Sequence, residues 1–266
     1  MSDFIFILGA LVAGLLAGGI ANARVMRTQK GLIFTTSKAC SICAKPAHAK
    51  EYLPVFGYFA VKGRCHKCKA VIPWQYPATE VVFAALFVVF AARAISLWGL
   101  ELPLYASAAE AVLLFVRDAV VVSALILIFV FDYRASIIPD RLTIPAMVVA
   151  ILCNVALGVP VTEILLGGFL LGGFFAFQFL FSKGKWVGGG DIRMGMLMGF
   201  LLGPWLGVLA LLLAYAAGAV VGVGLLIGKQ RTLASHVPFG TFMALATVVT
   251  MLWGQQLLDW YLGFFS

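Results

Sequence analysis

Gly188-Gly189-Gly190-Asp191-Ile192-Arg193, followed without a break by the apolar run 194–227, is the stretch from which the arrangement of the chain can be worked outward. Three adjacent glycines weaken a regular helix and let the backbone take φ > 0 or approach a neighbour closely. The run behind them is too long for one crossing, because ~20 residues at 1.5 Å each already cover ~30 Å of hydrocarbon. Gly203-Pro204-Trp205 lies inside it and is the expected turn, making two spans of one run. Asp191 then stands at the edge of a membrane, where an ionisable group is costly and usually faces a bundle interior or a water-filled cavity. The plainer alternative is a turn in which Asp191 only caps the helix that follows.

Composition agrees with a membrane setting. Apolar residues make up 63% of the 266-residue chain and charged residues 11%, and the mean hydropathy is +1.05, which excludes an ordinary soluble domain and predicts an all-α polytopic protein. The apolar runs are too continuous for a β-barrel, whose strands alternate over ~10 residues. Met1-Ser2-Asp3 lacks the basic start of a cleaved signal, so the first run is expected to remain as a span.

Eight spans are expected. The first covers 4–21, a polar loop occupies 22–76, and the second span covers 77–97. The third ends at Phe131, with Glu110, Arg117 and Asp118 near its start: either a tilted helix holding a buried ion pair, or an interfacial helix before a shorter span. Spans four and five cover 142–157 and a Gly-rich, Phe-rich segment ending at Phe181; spans six and seven form the hairpin; span eight covers 238–260. Of nineteen Lys and Arg, ten lie in the first loop, and Arg134, Arg141, Lys183, Lys185, Arg193, Lys229 and Arg231 fall on the same side. The positive-inside rule makes that side cytoplasmic and puts both termini outside. The net charge of +8 is therefore topological rather than a sign of nucleic-acid binding.

Two motifs carry chemistry. Cys40-Ser-Ile-Cys43 and Cys65-His-Lys-Cys68 are C-x2-C pairs separated by 21 residues in the first loop. Four thiolates on two such turns suit tetrahedral Zn2+, and a loop this short gains structure from a metal. Disulfides are the alternative, disfavoured on a reducing side; His48 or His66 is a substitute ligand, and Cys153 is a small apolar packing residue. The second motif is a set of acids. Asp132 at the inner end of span three and Asp191 at the inner start of span six share a depth. Two adjacent carboxylates share one proton, which gives a general base and a general acid, the chemistry of aspartic proteolysis. Asp140 competes with Asp132, with a role as supporting acid or as N-cap of span four.

With those residues in place, Phe131-Asp132-Tyr-Arg-Ala-Ser-Ile-Ile-Pro139-Asp140-Arg-Leu-Thr-Ile-Pro145 and Gly188-Gly-Gly190-Asp191-Ile-Arg193 resemble the type IV prepilin peptidase family, membrane aspartic proteases of the G-x-G-D kind. Similar in order along the chain are Gly18-Gly19-Ile-Ala-Asn22-Ala-Arg-Val-Met-Arg27, the two C-x2-C pairs, Gly63-Arg64-Cys65, Tyr76-Pro77, Glu80 and Val237-Pro238-Phe239-Gly240. The resemblance implies that Asp132 and Asp191 are the catalytic pair, Asp191 lying on a loop with Gly188, Gly190 and Arg193. It implies cleavage of basic leaders from prepilins or pseudopilins, commonly after Gly, at the cytoplasmic face of a bacterial inner membrane, in type IV pilus or type II secretion systems. It also implies methylation of the new N-terminus from S-adenosylmethionine, for which Glu80 is the candidate residue; its plain role is charge complementarity at a helix start. Residues 1–98 would then be the methyltransferase part, with the four-cysteine loop 22–76, and 99–266 a six-helix peptidase core. Two departures stand out: Lys50-Glu51-Tyr52 precedes Leu53-Pro54 where family loops usually carry Asp-Asn, and Arg193 replaces the usual Lys, keeping charge and changing shape. The other functional readings are a cation transporter using Asp132, Asp140 and Asp191 as an ion path, and a structural membrane subunit.

Overall fold

The computed structural model describes residues 2–28, 53–72, 74–99, 107–227 and 238–264. Among them the regular structure is helical, with one isolated bridge between Arg64 and Val71, and the chain divides into two compact units, Met1–Leu100 and Glu101–Ser266.

In the first unit, α1 (Ser2–Thr28) packs on α3 (Gln75–Gly99), and the short α2 (Phe56–Ala60) lies in the intervening loop. The antiparallel register repeats every turn. A Cβ on Gly14 would fall 2.7 Å from Ala84 Cα and one on Gly18 2.7 Å from Glu80 Cα, while Asn22 Nδ2 donates to the Tyr76 carbonyl at 2.9 Å. Each step of four along α1 is answered by a step of four back along α3. Lipid supplies no hydrophobic drive for helix pairing, so small residues that admit the neighbouring backbone, and a polar pair beyond them, hold the contact.

The second unit contains α4 (Ala108–Ala135), α5 (Asp140–Ala156), α6 (Val161–Phe181), α7 (Gly189–Ile227) and α8 (Phe239–Leu262). α4 is one continuous helix. Ser107 and Glu110 form a reciprocal capping box at its start, and Arg117 forms an ion pair with the buried Asp118 at 2.6 Å, so the continuous helix and the ion pair of the first expected alternative are both present. Arg117 Nη1 also donates to Asn154 Oδ1 at 2.5 Å, and Asn154 Nδ2 donates to the Phe200 and Leu201 carbonyls at 2.9 and 3.2 Å. Those carbonyls need a partner because α7 is broken just beyond them: Gly203 has φ 74 and ψ −175, and Pro204 follows. The chain doubles back there. A Cβ on Gly207 would lie 3.7 Å from Gly199 Cα, although eight residues of straight helix would put ~12 Å between them. The first arm of α7 presses on α6 so closely that a Cβ on Gly199 would collide with the Gly167 backbone.

Six helices among the described residues are long and apolar enough to cross a membrane, covering Asp3–Asn22, Gln75–Leu97, Ala108–Ala135, Val161–Phe181, Gly189–Leu225 and Phe239–Leu262. The difference from the expected eight has two sources. α5 has 17 residues, and at 1.5 Å per residue that is ~25 Å, short of ~30 Å of hydrocarbon. The two arms of α7 stand as one helix in that count despite the reversal at Gly203.

Candidate active site

Asp132 lies in the last turn of α4 and is 4% exposed. Its Oδ2 accepts the Thr241 backbone N–H at 2.7 Å. The reason is local to α8. That helix starts after Pro238, which makes no side-chain cap, so its first amides lack partners within the helix and point their positive end outward. A carboxylate from α4 takes one of them. Directly after α4, Ser136 adopts a left-handed conformation with φ 50 and ψ 43 and returns its N–H to the Asp132 carbonyl at 2.7 Å. This turns the chain at once and sends Ile137-Ile138-Pro139 across the end of the helix.

Asp191 is the third residue of α7. Its Oδ2 accepts the Gly188 N–H at 2.8 Å, and its own N–H donates to the Gly188 carbonyl at 3.1 Å. The acid thus closes on the amide just before its own helix, the carboxylate half of a capping box. The capping contact that the plainer reading expects is real, and it leaves the second carboxylate oxygen outside that bond.

One apolar side chain joins the two acid-bearing segments. Ile138 is 8% exposed; a Cβ on Gly190 would lie 2.9 Å from Ile138 Cβ, and one on Gly240 would lie 2.8 Å from Ile138 Cδ1 and 2.9 Å from Asp132 Oδ2. Ile138 therefore touches the residue before Asp191 and also the residue before the amide that holds Asp132. Asp140 lies two places further on. The helix cap is Pro139, without a side-chain bond, and Asp140 is the first helical residue of α5, so the expected N-cap position is displaced by one. Its carboxylate forms an ion pair instead: Arg193 Nε lies 2.7 Å from Asp140 Oδ1, with side chains 39% and 49% exposed and without the alignment of a directed hydrogen bond. The ends of α4, α5, α7 and α8 are in this way gathered around Ile138.

The first unit holds the other candidate residues. Glu80 is buried in α3 and its Oε2 accepts the Val55 N–H at 2.6 Å, which fixes a residue held at φ 58 just before α2. Cys65 and Cys68 occupy a tight hairpin in which the Cys65 N–H donates to Ala70 at 2.9 Å and Ile72 N–H to Gly63 at 2.8 Å. Cys65 is buried and Cys68 exposed. Cys40, Cys43 and His48 lie outside the described residues, and among the described residues no group of three or more His, Cys, Asp or Glu is placed to hold a metal. The donor chemistry and the hairpin suit one half of a zinc site.

Ile138, Gly240 and Thr241 are absent from the residues that the sequence offers for chemistry. A signal existed for the last two: a helix that begins Pro238-Phe239-Gly240-Thr241 has no Ser, Thr, Asp or Asn cap of its own, so its amides call for an acceptor from elsewhere.

Two family profiles match the chain, one described as Bacterial Peptidase A24 N-terminal domain over residues 12–94 and one as Type IV leader peptidase family over residues 119–223. Among similar curated proteins, a Prepilin leader peptidase/N-methyltransferase of Aeromonas salmonicida (strain A449) is 31% identical over 230 residues, 84% of this chain and 74% of that one. A protein of the same description from Bacillus subtilis (strain 168) is 27% identical, covering 86% of this chain and 87% of its own. One from Pseudomonas aeruginosa is 26% identical, covering 97% and 94%. No solved structure matches.

Proposed function

The chain belongs to the type IV leader peptidase family, and from that premise we propose that it is a membrane aspartic endopeptidase that removes the leader of prepilins or pseudopilins and then methylates the new N-terminus. The observation that carries the reading is the pair of acids at helix ends on segments that meet at Ile138, Asp132 on α4 and Asp191 on α7. One carboxylate takes a proton from water as the oxygen attacks the scissile carbonyl carbon. The other gives its proton to the leaving amide nitrogen as the C–N bond breaks, and the dyad returns to one shared proton. The glycines let Asp191 approach without a side chain in the way.

In this reading both arms of α7 and the 17-residue α5 also cross the membrane, giving eight spans, both termini outside and the dyad at the cytoplasmic face of the inner membrane. The unit Glu101–Ser266 is the peptidase. The unit Met1–Leu100 serves methyl transfer, with S-adenosylmethionine as donor and Glu80 tethering the loop through the Val55 amide. Purified chain reconstituted with a prepilin and S-adenosylmethionine is expected to yield pilin that lacks its leader and carries one N-terminal methyl group, both read in one mass spectrum. Intact prepilin would count against the peptidase, and an unmethylated product would restrict the reading to cleavage.

Cys40, Cys43, Cys65 and Cys68 are the residues that would hold a structural Zn2+ in the loop. Metal analysis of the purified chain is expected to give about one zinc per chain, as a four-thiolate site requires. Cys65→Ser should lose it and make the loop sensitive to protease, because metal binding and local folding are linked. A protease-resistant loop without metal would remove zinc from the reading.

A further inference from the structure

We propose that the five residues from Ser136 to Asp140 form a clasp that sets the alignment of the two acids, with Ile138 as its positioning residue and the Asp140–Arg193 ion pair as its outer tie. The inference rests on the dyad reading above and adds a role for residues between the acids. Three observations converge on it. The left-handed Ser136 directs the segment across the bundle end immediately after Asp132. Ile138 is buried and stands within van der Waals contact of both glycine positions, where a methyl group would come within 2.9 Å at Gly190 and 2.8 Å at Gly240. Asp140 then pairs with Arg193, two residues beyond Asp191 and roughly half a turn further along α7.

The atoms of Ile138 divide unequally between the two contacts. Cβ makes the nearest approach to the Gly190 position, with Cγ1 and Cδ1 each 3.5 Å from a Cβ placed there, and Cδ1 is the atom against Gly240. Moving either contact moves a different acid: the Gly190 side carries Asp191, and the Gly240 side carries the Thr241 amide bonded to Asp132. A plain core isoleucine would affect folding and leave the chemistry of the folded fraction alone. A clasp affects the turnover step, because displacing a catalytic group by ~1 Å can cost ~100-fold in rate.

The test is steady-state cleavage of a prepilin by the full-length chain in proteoliposomes, measured across pH. Ile138→Ala, which removes the side chain beyond Cβ, is expected to lower kcat about 30-fold to 100-fold with KM changed less than about threefold, as for groups used in the transition state. The pH profile should shift on at least one limb, as the shared-proton reading of the two acids requires. Ile138→Val, which keeps the branched Cβ beside Gly190 and loses the Cδ1 contact at Gly240, should give a rate between wild type and Ile138→Ala. Ile164→Ala is the packing control, a buried isoleucine in the first turn of α6, and should leave kcat and the pH profile unchanged. Wild-type kcat and profile in Ile138→Ala, or an equal loss in Ile164→Ala, would overturn the clasp. If Ile138→Ala does not assemble, the tie decides. Asp140→Arg and Arg193→Asp should each lower kcat and the double exchange should restore it; single exchanges without effect, or a double exchange without recovery, overturn the proposal. Asp132→Asn is run in parallel. Inactivity there beside full activity in Ile138→Ala removes the clasp alone, whereas an active Asp132→Asn removes the dyad reading itself.

Discussion

Asp132→Asn and Asp191→Asn are each expected to lower leader cleavage by about 1,000-fold or more, within the range for lost acid–base catalysis at its upper end, and the double variant is expected to be no worse than either single one. An amide cannot take a proton from water or carry the shared one, so either change stops the cycle at the same step. Non-additivity follows because the two acids act as one unit. Assembly should survive both changes. The amide side chain introduced by Asp132→Asn retains an oxygen that accepts the Thr241 N–H, now held by Asp132 at 2.7 Å. The one introduced by Asp191→Asn retains an oxygen for the Gly188 N–H, now held at 2.8 Å. The measurement is single-turnover cleavage with excess enzyme, beside size-exclusion profiles of each variant. Losses that multiply in the double variant would mean that the acids work independently, and a variant that still cleaves at the wild-type rate would exclude its residue from the chemistry. The same series run with Asp140→Asn is expected to give only a modest loss, since that acid is engaged with Arg193.

Much of the fold was legible in residues whose constraint is local. Gly203-Pro204 marks a break because proline removes a helix amide and crowds the preceding turn, and the chain does reverse there, with φ 74 at Gly203. Span five reads as Gly-rich, and small residues admit a neighbouring backbone; one of its glycines, Gly167, meets Gly199. Arg117 and Asp118 left two readings open, and the choice depended on Asn154, thirty-seven residues away on another helix. The link forms because the α7 break leaves the Phe200 and Leu201 carbonyls for Asn154 to bond. The site divides in the same way. Asp132 and Asp191 stand out because acids at membrane depth are costly. Ile138 does not, because one isoleucine in an apolar chain carries no signal until the backbone brings two glycines against it. The position of Asp140 likewise depends on Arg193, a partner fifty-three residues on, so that a local capping rule placed the acid near the right spot with the wrong bond.

Gly240→Ala is expected to separate stability from activity. On local grounds the change is favourable or neutral, because Ala exceeds Gly in helix propensity by up to ~1 kcal/mol, with less to gain in a first turn. Gly240 is the second residue of α8, so the propensity gain offsets part of what the contacts around it cost, and the thermal unfolding temperature should fall only modestly. The added methyl group, however, would lie 2.9 Å from Asp132 Oδ2, 3.0 Å from Asp132 Cγ and 2.8 Å from Ile138 Cδ1. All three atoms belong to side chains that can turn aside, which spares the backbone and moves the carboxylate. Once Asp132 rotates away it loses the Thr241 amide, a hydrogen bond to a charged group worth ~1.5–3 kcal/mol, and with it the position from which it shares a proton. Cleavage should fall about 10-fold to 100-fold at unchanged KM, the loss expected from a misplaced catalytic group. Adding Ile138→Val relieves the contact at Cδ1 and leaves the one at Oδ2, so the pair should not regain the wild-type rate. Full activity in Gly240→Ala would show that the α8 start does not hold Asp132 during turnover. A large drop in melting temperature with normal activity per folded molecule would instead assign the glycine to helix packing.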